Sequence, residues 1–298
     1  MVPAPSAPAT FADFCLVMYV LVDEIWPEIA PRCHRPGPVP ACTDQELVAM
    51  ALVGECEGWD QETEFASKWA RHRDLFPVQP ERSRFNRRRR LLARLDLTLD
   101  RQCVLDSLPV PVIRFHLVPG GARAYWEGHG ARFGKVPSKR QTIFGYKLYL
   151  LATLNGVLLD FVLAPANTVE LTAGLELLEA HTDLLVLGDK AFVSAPAQRR
   201  LRAENRIALW TLPRRNQRRQ PSAAVRRLLN GARQVAETVN SQLAEQFNLE
   251  VNHAQSFGGL IARLYTKLTA HLACIYLNRQ AGLPDVLRIK ALAFPPPN

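Results

Sequence analysis

The chain has 298 residues, of which 48% are hydrophobic and 22% are charged, and its formal net charge is +9. This composition excludes a disordered chain, and the length suffices for a full α/β domain with a smaller second domain. The positive charge favours a polyanionic partner, with nucleic acid as the first candidate.

Signals for export or membrane insertion are weak. The apolar stretch 11–22 is interrupted by Asp13 and followed by Asp23 and Glu24, so it is too short and too charged for a membrane span. It also lacks a cleavage signature. The six cysteines contain no CxxC pair, which favours reduced, buried thiols over a zinc site. We therefore expect a cytoplasmic protein without a membrane partner.

Residues 1–100 are predicted to form an all-helical DNA-binding domain. Apolar residues between Phe11 and Val22 fall on one helical face. Thr43 is predicted to cap a second helix, with Glu46 completing a capping box. A third helical pattern covers residues 62–75.

An arginine-rich segment follows at residues 81–90, where six arginines surround Phe85. One interpretation is a solvated helix face. Clustered charge of one sign is repulsive on a helix, however, and an anion relieves it. We therefore expect DNA phosphate contacts from Arg82, Arg84, Arg87 and Arg88.

From about Arg101 the pattern changes to that of an α/β domain, which we expect to extend over residues 101–280 and to precede a C-terminal tail at 281–298. The predicted strands end at Asp106 and at Asp189, and others cover 143–153, 157–163 and 206–212. A turn is predicted at 154–156 and a Gly/Arg-rich loop at 120–140. Helices are predicted at 168–181, 195–204, 222–247 and 257–278, the third of them after a basic linker at 213–221.

Asp106 and Asp189 are candidate site residues because each follows an apolar run that is typical of a buried strand. Strand-end aspartates often only cap turns, which is the alternative for Asp106 and Asp189. If their strands are neighbours, however, the two carboxylates repel each other unless a cation lies between them. Mg²⁺ prefers such oxygen ligands, and two metal ions can activate phosphoryl transfer. Asp160 is in mid-strand and Asp183 opens its strand, so both look structural.

A third carboxylate, Glu237, lies in the helical pattern 222–247. Its position is opposite an apolar stripe from Leu228 through Val235 to Leu243, so a solvated glutamate is the alternative. Arg233 lies four residues earlier on the same face and could orient Glu237 or contact phosphate.

In this order the residues resemble DDE transposases of bacterial insertion sequences. The resemblance extends over about residues 101–278 and rests on four short motifs. These are Val104-Leu105-Asp106-Ser107, Gly145-Tyr146-Lys147, Gly188-Asp189-Lys190-Ala191-Phe192 and Arg233-x-x-x-Glu237. Two positions depart from the pattern, since Asn230 and Ala244 stand where relatives often carry Tyr and Lys.

The resemblance implies an RNase H-like mixed sheet flanked by helices. It also implies that Asp106, Asp189 and Glu237 bind two Mg²⁺ ions, for which Mn²⁺ can substitute. In the implied reaction, activated water cuts DNA at the end of the mobile element, and the released 3′-hydroxyl attacks target DNA.

The implied partner is double-stranded DNA, both terminal inverted repeats and target, bound by a homodimer at the bacterial nucleoid. Further candidate DNA contacts are Lys139, Arg140, Lys147, Lys190, Arg214, Arg215 and Arg233, although Lys147 could equally be an exposed strand lysine. Two alternatives remain: an RNase H-like nuclease that cuts without joining, and a non-catalytic DNA-binding protein derived from a transposase.

Overall fold

The computed structural model describes residues 10–32, 40–78, 101–113, 122–212, 222–283 and 289–290. The arginines predicted to bind DNA at 82–88 and 214–215 lie outside these residues. The chain divides into two compact units. The helical unit comprises Met1–Leu97, Glu245–Leu249 and His253–Asn298, and the sheet unit comprises Thr98–Ala244 and Glu250–Asn252.

The described helices are α1 (Phe11–Ile29), α2 (Asp44–Cys56), α3 (Glu62–Trp69), α4 (Ala122–Gly128), α5 (Glu170–Glu179), α6 (Ala195–Glu204), α7 (Ala223–Ser241) and α8 (Phe257–Gln280). The described strands are β1 (Gln102–Ile113), β2 (Arg132–Val136), β3 (Gln141–Thr153), β4 (Leu158–Pro165), β5 (Leu185–Gly188) and β6 (Ala208–Thr211). None of these helices is both long and apolar enough to cross a membrane.

In the helical unit, α2 is the central element. Its residues from Leu47 to Cys56 are buried on every side, because α1 and α8 both pack against it. The predicted capping box is confirmed: the Glu46 N–H donates to Thr43 Oγ1 at 3.1 Å, and the Glu46 carboxylate accepts the Thr43 N–H at 2.6 Å. Helix α3 ends at Trp69, earlier than expected.

An ionic cluster is buried in the same unit. The Lys267 ammonium, on α8, donates to Glu55 Oε2 at 2.8 Å, to Asp60 Oδ1 at 2.5 Å and to the Phe247 carbonyl at 2.6 Å. The Lys267 side chain is only 3% exposed. Two carboxylates and a carbonyl therefore surround one buried cation, which meets the requirement that buried charges be paired and hydrogen-bonded.

The sheet unit has a mixed sheet of the predicted RNase H-like class. Strands β3 and β1 pair antiparallel, whereas β1 pairs parallel with β5 and β5 pairs parallel with β6. The outer edge of β3 is shared, with β2 along its first half and β4 along its second half.

Helices cover both faces of this sheet. On one face, Leu177 of α5 and Leu201 of α6 share a core with Leu105 and Tyr149. Successive strand residues point to opposite faces, so Asp106, next to Leu105, points to the other face. Helix α7 packs there, against β1 and β5.

The first strand does not end at Asp106 as predicted, since β1 continues to Ile113. The reason is one-sided pairing. Strand β5 pairs with β1 only as far as Leu105, and among the described strands only β3 pairs with β1 beyond that point. Pro109 and Pro111 lack an amide proton and are tolerated where a strand has a free edge. Asp106 therefore lies where the neighbouring strand stops.

The Gly/Arg-rich segment predicted as a loop at 120–140 contains α4 and β2 instead. Gly134 permits this strand to lie against the connection after β4, because a Cβ atom there would be 2.0 Å from the Ala166 carbonyl oxygen. The turn predicted at 154–156 is present, with Gly156 at a φ of 80°.

At the C-terminal side the compact units differ from the predicted domains. Helix α8 had been expected to belong to the catalytic domain at 101–280, but its contacts assign it to the helical unit. Its buried charged residues Arg263 and Lys267 bind Asp60, more than 200 residues earlier in the chain. Contacts between residues this far apart leave no trace in local sequence patterns.

Candidate active site

Asp106 and Asp189 each follow one member of a residue pair on two neighbouring parallel strands. Leu105 of β1 is paired in register with Gly188 of β5, and the two aspartates are the next residues on each strand. Asp189 is exposed at the end of β5, whereas Asp106 is partly buried because β1 continues beyond it. Both carboxylates therefore lie close to the C-terminal end of β5, at one edge of the sheet.

Both oxygens of the Asp106 carboxylate accept a hydrogen bond. The Ser107 N–H donates to Oδ1, and the Asn240 side-chain amide on α7 donates to Oδ2, each at 2.8 Å. Burial raises the pKa of Asp106 to about 6, and the Ser107 hydrogen bond offsets only part of this effect. The negative charges of Asp189, Glu170 and Glu237 raise the pKa further, so this end of the sheet is rich in carboxylates.

Helix α7 is rotated relative to the predicted apolar stripe. Its buried residues are Leu229, Ala232, Ala236 and Val239. Leu228, which was assigned to the stripe, is 37% exposed. The change moves Glu237 from the side opposite the buried face to its flank, since each residue advances the helix by about 100°. The small Ala236, rather than Val235, lies on the buried side of the helix.

Glu237 is held by an ion pair within its own helix. Arg233 Nε donates to Glu237 Oε1 at 2.8 Å, and the two side chains are 57% and 56% exposed. Arg233 and Glu237 therefore lie on the same face of α7, as their spacing predicts.

The donor atoms at this edge suit a hard divalent cation, because they are carboxylate oxygens. Among the residues that the structure describes, however, no three His, Cys, Asp or Glu side chains are arranged to hold a metal ion. The Glu237 carboxylate is turned to Arg233, while Asp106 and Asp189 lie on neighbouring strands. The donor set therefore fits a cation in its chemistry, with Glu237 free to reorient because it is exposed.

The predicted DNA-contacting residues fall into two groups. Lys147 is not an exposed strand lysine: its side chain is 11% exposed, and its ammonium donates to Glu170 Oε1 at 3.1 Å. Lys139, Arg140 and Lys190 are exposed. Lys139 forms an ion pair with Glu250, and Lys190 directly follows Asp189.

The rival aspartates have partners of their own. Burial raises the pKa of Asp160, but hydrogen bonds from the His181 ring at 2.9 Å and from the Phe161 N–H outweigh it and lower this pKa. The guanidinium of Arg206 donates to both oxygens of Asp183 at 2.5 and 2.6 Å and holds the pKa of Asp183 at about 2. These contacts agree with a structural interpretation of both residues.

Two residues near the site were missed from the sequence. Glu170 opens α5 as the partner of Lys147, and nothing in its local pattern distinguishes it from a helix-starting acid. Asn240 had a usable signal, because it lies three residues after Glu237 and seven after Arg233. That spacing puts all three on one face of α7.

A comparison with protein families gives a match over the part of the chain that contains Asp189 and Glu237. Residues 126–257, less than half of the chain, match the family model described as the transposase DDE domain. Asp189 and Glu237 lie within the matched range, and Asp106 precedes it. No significant match was found among curated proteins or among solved structures. Together with the mixed sheet, the match identifies residues 126–257 as a transposase DDE domain.

Proposed function

We propose that this transposase cuts and joins DNA strands with Asp106, Asp189 and Glu237 as its catalytic carboxylates. The observation that carries the proposal is the register of β1 and β5, in which the two aspartates occupy the next positions after the Leu105–Gly188 pair. Helix α7 adds Glu237 on the flank of its buried face. Three carboxylates from two strands and a helix then serve one site.

These carboxylates would hold two Mg²⁺ ions, or Mn²⁺ in their place, which supply Lewis acidity for phosphoryl transfer when bound. Asp106 contributes a carboxylate whose orientation is fixed by two hydrogen bonds. Asp189 and Glu237 are exposed, so a phosphodiester can approach them from solvent.

Basic residues beside the carboxylates would bind the DNA backbone. Lys190 follows Asp189 directly and is exposed. When a DNA phosphate binds the guanidinium of Arg233, the Glu237 carboxylate would be released from its ion pair. Binding through such contacts weakens steeply as the salt concentration rises. Pairing two ends of a mobile element also favours a homodimer on DNA.

The test is cleavage of a labelled duplex that carries the flanking inverted repeat, in Mg²⁺ or Mn²⁺. We expect the wild-type protein to cut at the repeat end, and Asp189→Asn to bind the duplex without cutting it. Asp183→Asn is the matched control, because Asp183 is engaged by Arg206; this variant should cut like the wild type. Equal cutting by Asp189→Asn and wild type would contradict the proposed site.

The same assay separates the two alternatives. A product that joins the cut end to target DNA distinguishes a transposase from an RNase H-like nuclease, which stops after cleavage. Binding by both proteins with no cleavage by either, in both metals, would instead favour a non-catalytic DNA-binding protein.

A further inference from the structure

We infer that Asn240 is a positioning residue for Asp106, whose carboxylate it orients towards a divalent cation without neutralising its charge. The inference rests on the proposed function, since it assigns Asp106 the role of a metal ligand. It adds to the site a residue outside the three carboxylates.

The contact itself is specific. Asn240 Nδ2 donates to Asp106 Oδ2 at 2.8 Å, while the Ser107 N–H donates to Oδ1 at the same distance. Two donors on different oxygens fix the rotation of the carboxylate about its last bond. Each oxygen accepts at two lone-pair positions, so each keeps one for a cation. Asn240 is partly buried, and this shields the contact from competing water.

The charge of the donor distinguishes this carboxylate from its neighbours. Glu237 is bound by the guanidinium of Arg233, and Glu170 is bound by the ammonium of Lys147. In the described part of the chain, the donors to Asp106 are a side-chain amide and a backbone N–H, both uncharged. A cationic donor at this distance would repel a divalent ion, whereas an amide leaves the full negative charge of Asp106 available to it.

The position of Asn240 on α7 extends its role. Arg233, Glu237 and Asn240 are spaced by four and three residues and share one helix face. Helix α7 therefore carries one proposed ligand and also fixes the orientation of another ligand, on β1. Groups that orient metal ligands in this way typically change metal affinity or activity by about 10- to 100-fold when removed.

The first experiment measures Mn²⁺ binding by electron paramagnetic resonance, with and without an inverted-repeat duplex, in wild type, Asn240→Ala and Thr238→Ala. We expect Asn240→Ala to weaken Mn²⁺ binding by about tenfold or more. Thr238 is the matched control on the same helix, because its hydroxyl donates to the Gln234 carbonyl within α7; Thr238→Ala should bind Mn²⁺ like the wild type.

The second experiment separates positioning from folding. The Mn²⁺ concentration for half-maximal cleavage should rise in Asn240→Ala, and saturating Mn²⁺ should restore the rate. A variant that is merely misfolded would lose rate at every Mn²⁺ concentration. Asn240→Lys keeps a donor but adds a positive charge, and it should bind Mn²⁺ more weakly than Asn240→Ala does.

The outcomes are distinguishable. Wild-type Mn²⁺ affinity in Asn240→Ala, with binding lost in Asp106→Ala, would overturn the positioning role and leave the proposed site intact. Tighter binding in Asn240→Lys than in Asn240→Ala would overturn the requirement for a neutral donor. Unchanged Mn²⁺ binding in Asp106→Ala would overturn the proposed metal site itself, and with it this inference.

Discussion

The two compact units treat their buried carboxylates in opposite ways. In the helical unit, Glu55 and Asp60 share the ammonium of Lys267. In the sheet unit, Asp106 is bound by uncharged donors and lies near three further acids, and its pKa is raised to about 6. A buried charge without a counter-charge is costly, so it is retained where it serves a function. We infer that the first cluster serves the fold, and that the second would accept a cation in the proposed site.

The largest predicted effect comes from removing Lys267, the cation of the buried ionic cluster. Lys267→Met removes the ammonium that the two buried carboxylates share, and we expect the free energy of unfolding to fall by about 3–5 kcal/mol. Urea denaturation of the full chain measures this change. Arg71→Met, at an exposed position of the same unit, is the control and should change stability by less than about 0.5 kcal/mol. A loss below about 1 kcal/mol for Lys267→Met would contradict a stabilising role.

This cluster also illustrates what the sequence could not provide. Lys267 lies more than 200 residues after Glu55 and Asp60 in the chain, and the helical pattern of α8 predicted its apolar face but not its buried cation. The capping box at Thr43 and Glu46 was predicted, because its two partners lie three residues apart. Local chemistry is readable in a sequence, whereas distant pairing is not.

The site follows the same rule. The position of Asp189 after a strand could be predicted because a short apolar run ends directly before it, and that run is a strand. Asp106 was assigned to a strand end because Pro109 and Pro111 follow it, but one-sided pairing lets β1 continue. The burial and pairing of Lys147 could not be predicted either, since its partner Glu170 is 23 residues away on a helix.

The second prediction is a gain in the free energy of unfolding, whereas the first is a loss. Asp106→Asn should stabilise the metal-free protein, because it removes a partly buried charge whose donors among the described residues are both uncharged. The folded-state pKa of Asp106 is about 6, above its ordinary value of 3.8, so its contribution to stability is complete below pH 3.8 and is lost as the pH rises through 6. The gain in the variant should therefore be absent near pH 4, grow as the pH rises to 6, and reach its full size of at most about 3 kcal/mol above pH 6.

Urea denaturation in a chelator at pH 4 and pH 8 measures this gain. Asp183→Asn is the control of opposite sign. The pKa of Asp183 is lowered to about 2 by Arg206, so its contribution is present above pH 3.8 and is lost as the pH falls through 2. Asp183→Asn should therefore destabilise the protein at pH 8. If Asp106→Asn were also destabilising at pH 8, the charge at Asp106 would be balanced and the contrast between the two units would fail.

The smallest predicted effect concerns the ion pair of Arg233 and Glu237. Like the ionic cluster of Lys267 it joins a cation to a carboxylate, but both of its side chains are exposed. Water screens exposed pairs, so a double-mutant cycle of Arg233→Gln and Glu237→Gln should give a coupling energy of about 0.3–0.5 kcal/mol in the free protein. So weak a pair can yield its arginine to a DNA phosphate at little cost. A coupling above about 1.5 kcal/mol would mean that the pair holds Glu237 firmly. DNA binding would then have to overcome that energy before Glu237 could join the two aspartates.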